Sequence, residues 1–67
     1  MNYIEQIMYY TDPDRAELWW EKPESALPGT GYLVSLNGNV IGETNKTHFT
    51  IEGLESGKEY TAAVAVL

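Results

Sequence analysis

Apolar and polar residues alternate with a period of two through most of the chain, the pattern of strands with one packed face and one wet face. In Ala16-Glu17-Leu18-Trp19-Trp20, residues Ala16, Leu18 and Trp20 share a face while Glu17 and Trp19 take the other. Tyr32, Val34 and Leu36 line up in the same way, as do Phe49 and Ile51 between His48, Thr50 and Glu52, and Tyr60, Ala62, Val64 and Val66 near the end. Turn residues separate these runs at Asp12-Pro13-Asp14, over 23–31, at Asn37-Gly38, over 42–45 and over 53–57. The intervals of about 5 to 9 residues between such signals are strand-sized. Asn37-Gly38 between two apolar runs predicts a tight hairpin joining 32–36 to 39–41, because a type I′ turn needs positive φ at both central positions. The run 3–11 also reads as one strand, with two phases open: Ile7 and Tyr9 inward, or Ile4, Met8 and Tyr10 inward. No segment keeps a helical period, and there is no internal repeat. The expected core is Trp20, Tyr32, Val34, Leu36, Phe49, Ile51, Leu54, Tyr60, Ala62 and Val64, with Trp19 turned outward.

Length narrows the architecture. Sixty-seven residues make one small domain, 1–67, and a chain of this size buries only about 60% of the surface its unfolded form exposes. There is no cysteine, so neither a disulfide framework nor a thiolate zinc site supplements the core. Four Lys and Arg against ten Asp and Glu give a net charge of −6. That argues against nucleic acid and against an anionic membrane surface, both of which require clustered cations. No run approaches the roughly 20 apolar residues of a membrane-spanning helix.

Three motifs, in order, carry a resemblance. Leu18-Trp19-Trp20-Glu21-Lys22-Pro23 has an apolar residue, a spacer, Trp, two spacers and Pro. Gly31-Tyr32-Leu33-Val34 opens the next strand. Phe49-Thr50-Ile51-Glu52-Gly53-Leu54-Glu55-Ser56-Gly57-Lys58-Glu59-Tyr60-Thr61-Ala62-Ala63-Val64 joins an alternating strand to Gly-Leu, a turn, Glu-Tyr and a second alternating strand. Together they resemble a fibronectin type III domain over about residues 7–66. The resemblance implies a two-sheet antiparallel β-sandwich of immunoglobulin-like, fibronectin type III topology. Trp20 would be the core Trp, and Tyr60 the corner tyrosine whose hydroxyl is tied to backbone near Leu54. Such domains run seven strands over about 100 residues; this chain ends at Leu67, so the resemblance implies a sandwich truncated after the sixth strand. It also implies a non-catalytic spacer or protein-interaction module of a larger extracellular or cell-surface protein. The alternative is an accessory, carbohydrate-contacting module of a secreted polysaccharide-degrading enzyme.

The residues themselves offer little for catalysis. His48 is the single histidine and sits on the polar phase of its strand. No glycine-rich loop leads into a helix, and no cofactor or metal is expected. Asp12-Pro13-Asp14 lacks the glycine and further oxygen ligands of a calcium loop and reads as a turn. Asn45-Lys46-Thr47 is a glycosylation sequon on an expected exposed loop. The candidate contact surface is aromatic: Trp19 outward, with Tyr9 or Tyr10 across from it on the neighbouring strand, suited to a protein partner or to carbohydrate. The second candidate is a strand edge at Ala62, Val64 and Val66, in an uncharged, Pro-free apolar run. Left without a neighbouring strand, that edge recruits another chain, and the expectation is a homo-oligomer, a dimer in its closed form, made through this edge or by exchange of the N-terminal strand.

Overall fold

The computed structural model describes residues 2–24 and 26–67; Met1 lies outside them, as does Ser25, within the turn expected over 23–31. The described chain is all-β. Seven strands follow one another: β1 (Asn2–Tyr3), β2 (Met8–Asp12), β3 (Arg15–Trp19), β4 (Tyr32–Leu36), β5 (Asn39–Thr44), β6 (His48–Glu52) and β7 (Ala62–Val66). They form two antiparallel sheets, one in the order β1-β7-β4-β5 and the other β2-β3-β6, packed face to face as a β-sandwich.

The alternation places the core. Ala16 and Leu18 from β3, Ile51 from β6, Tyr32 and Val34 from β4 and Val64 from β7 are buried between the sheets, with Trp20 just beyond β3. Ile4, Ile7, Leu36, Phe49, Leu54, Ala62 and Val66 pack around them, partly covered. Trp20 is 3% exposed and meets Tyr32 edge to face, ring centroids 5.4 Å apart. Its Nε1–H is buried without a partner among the described residues. The Trp20 backbone N–H donates to the Thr47 carbonyl at 2.9 Å, extending the β3–β6 ladder by one step.

The expected hairpin is present. Asn37 and Gly38 take φ of 51° and 84°, both positive as the I′ turn demands. Asn37 also ties this hairpin to β7: its N–H donates to the Thr61 carbonyl, and its Oδ1 accepts from the Thr61 N–H, both at 2.8 Å.

Two expectations change. The segment 42–45, read as a turn, instead continues β5 to Thr44. Val34 faces Gly42 while Ser35 faces Val40, so Ile41 is the extra residue of a β-bulge. Gly42 is not a turn glycine; the Phe49 ring crosses from the opposite sheet onto its bare backbone. The run 3–11 is not one strand. It bends at Glu5 and changes sheets, β1 pairing with β7 and β2 with β3. Ile4 and Ile7 both turn toward the core at the crossing, a spacing of three that neither single-strand phase allows.

Candidate functional site

On the β2-β3-β6 sheet, registry sorts every residue to a face. Trp19 lies between Met8 and His48, Glu17 between Tyr10 and Thr50, and Arg15 between Asp12 and Glu52. These nine point outward. Met8, Tyr10 and Trp19 are 38%, 60% and 42% exposed, so an apolar strip runs diagonally over the outer face with Glu17 and His48 beside it. Arg15 Nε sits 3.8 Å from both Asp12 Oδ2 and Asp14 Oδ1, at a distance and exposure where ion pairs contribute little. The Asp12-Pro13-Asp14 segment thus closes the β2–β3 hairpin with its carboxylates turned to Arg15.

The three aromatics expected to share a surface are divided. Tyr10 and Trp19 lie on the outer face, diagonal to one another. Tyr9 faces Leu18 across the ladder and therefore points to the inner side, where it stands exposed at the mouth of an opening between the sheets. Met8, directly opposite Trp19, belongs to the strip and was missed by the sequence reading. Its signal is only parity with Tyr10, once the phase of β2 is known.

That opening is the second feature. A groove of about 580 Å³ runs between the sheets on the side bounded by β2 and β7, floored by Leu18, Ile51, Leu54 and Ala62. Tyr60 stands at its rim. The Tyr60 hydroxyl accepts the Glu55 backbone N–H at 2.9 Å, the tie expected from the sequence, and the residue, expected to be largely buried, is partly covered.

The β7 edge differs from expectation. β1 lies along it, Asn2 facing Val66 and Tyr3 facing Ala65, and the Ile4 N–H donates to the Val64 carbonyl at 2.8 Å. Val64 and Val66, two of the three residues expected to present bare backbone, thus have a neighbour from their own chain. Ala62 does not, because the chain leaves for the other sheet at Glu5. Among the described residues, no group of three or more His, Cys, Asp or Glu is placed to hold a metal ion, and no helix is long and apolar enough to cross a membrane.

No family model matches the chain, and no curated protein or solved structure matches it.

Proposed function

We propose that this chain is a non-catalytic module of the fibronectin type III kind that works by contact with another protein, in an extracellular or cell-surface setting. Three features support the kinship: a three-stranded sheet, β2-β3-β6, against a sheet containing β5-β4-β7; Trp20 in the core; and the Tyr60 hydroxyl tied to the Glu55 N–H. The contact role rests on one observation, the diagonal of Met8, Tyr10 and Trp19 on the outer face of β2-β3-β6. A large aromatic flanked by a thioether and a phenol is the composition enriched at the centres of protein interfaces.

The second reading is carbohydrate contact. It is favoured by the polar neighbours of Trp19, since Glu17 and His48 would offer hydrogen bonds beside a flat ring. A glycan screen of the wild type and Trp19→Ala separates the two. Protein contact predicts no saccharide whose binding is lost with Trp19, together with photocrosslinking from position 10 to a discrete surface protein of the source cells. A saccharide bound by the wild type and lost in Trp19→Ala would replace the first reading with the second.

A further inference from the structure

At the two ends of β7, Leu67 donates to the Gly31 carbonyl and Thr61 accepts from the Asn37 N–H, so residues 61, 63, 65 and 67 turn their backbone groups toward β4. Antiparallel alternation then turns the N–H and C=O of Ala62, Val64 and Val66 the other way. Val66 and Val64 meet β1; the residue that would meet Ala62 in the same register is Gln6, which lies in the connection leading from β1 to the second sheet. Beneath this open rung lies the groove, and Ala62 is among the residues that line it. An open rung directly above an apolar slot is the arrangement that strand addition uses: backbone bonds hold the segment, and the slot takes one side chain in two.

We propose that the Ala62 rung and the groove below it bind an extended, cationic segment of another protein as an added strand. The residue opposite Ala62 points inward, so it is apolar and β-branched or larger, filling the space between Ile7, Leu36 and Leu54. Its two neighbours point outward and are basic. The sign follows from the charges. The chain carries −6, and Lys58, which lines the groove, lies 3.3 Å from the Glu55 carboxylate. Glu5 at the groove has no cationic partner among the described residues. A second copy brings the same negative field. The edges it could offer are β5, β2 and β6; a contact from any of these to β7 is heterologous and generates open chains of copies. This site is separate from the outer face of β2-β3-β6 and stands or falls independently of it.

The test titrates the isotopically labelled chain, at low salt, with a capped heptapeptide of alternating lysine and valine and follows backbone amide shifts. The expected result is saturable change confined to residues 60–64 and 4–7, with binding about tenfold tighter than that of the glutamate–valine counterpart and weakening as salt is added. A third peptide, N-methylated on alternate backbone nitrogens, loses its donors without any change to the protein and is expected not to bind. Three results overturn the proposal. The first is no saturable shift at these residues. The second is shifts at Met8, Tyr10 and Trp19 instead, which would leave the outer-face reading intact. The third is shifts at 60–64 that grow with chain concentration alone and mark a second copy as the occupant.

Discussion

Gly42→Ala adds one methyl group at a point where a ring from one sheet lies on the bare backbone of the other. An added Cβ would lie 2.5 Å from Phe49 Cζ and 2.8 Å from Cε1, well inside the carbon–carbon optimum of about 3.5–4.0 Å. The ring cannot swing out freely, because Phe49 packs on the central cluster, and the bulge at Ile41 fixes the backbone of β5 beside it. Overpacking of this kind costs about 1–3 kcal/mol. Against it stands the restriction of the unfolded chain that any Gly→Ala change brings, about 0.4–1 kcal/mol in favour of the folded state, available here because Gly42 does not have positive φ. The net expectation is a loss of about 0.5–2 kcal/mol. Urea denaturation followed by tryptophan fluorescence reads this directly, because Trp20 reports the core. The decisive comparison is the cycle with Phe49→Leu, which removes the ring edge: Gly42→Ala is expected to be neutral or stabilising in that background, with a coupling on the order of 1 kcal/mol. A single mutant as stable as the wild type, or a cycle without coupling, would refute the role assigned to Gly42.

Trp20→Ala is expected to cost about 3 kcal/mol, the lower end for a buried aromatic, because truncation also removes a buried Nε1–H that has no partner among the described residues; Trp19→Ala is expected to leave the urea midpoint nearly unchanged, and the reverse order would put the β3 phase off by one residue. Tyr60→Phe is expected to lower stability by about 1 kcal/mol, a modest loss because Glu55 is exposed and water can take over its N–H; an unshifted midpoint would remove the corner from the account. Deleting residues 1–4 strips β1 from Val64 and Val66 and is expected to turn the chain into a concentration-dependent dimer or larger assembly, measured by light scattering behind a sizing column. A deletion variant monomeric at every concentration would show that the edge is harmless without its cover.

Strands β3, β4, β6 and β7 were legible because each turns one face to the core, so period-two alternation, the I′ turn at Asn37-Gly38 and the inward set through Val64 all follow from side-chain chemistry. Leu18 and Ala16, given the same face as Trp20, are buried with it. The N-terminal run was illegible for a physical reason. A segment that changes sheets faces the core from two directions, and its apolar residues obey neither phase. Gly42 misled for a similar reason: glycine marks a turn or a close approach with equal economy, and the ring that requires it comes from a residue seven positions later. The aromatic surface was half legible. Trp19 could be phased from Trp20, whereas Tyr9 and Tyr10 required the register of β2 against β3, which only the three-dimensional pairing supplies.

The pairing of Asn2 with Val66 has a practical side. Residues paired across an antiparallel ladder have Cα atoms only about 4.5–5.5 Å apart, so the segment 2–66 begins and finishes at one point on its surface. Such a unit can be spliced into a surface loop of a host protein, entering and leaving through the same small gap, without stretching the host backbone. It can equally be circularly permuted, its two ends joined by a few glycines and new ends opened in the exposed turn over 55–57. Permutation would hold β1 against β7 by a covalent tether, so that the outermost strand could no longer fray from its sheet.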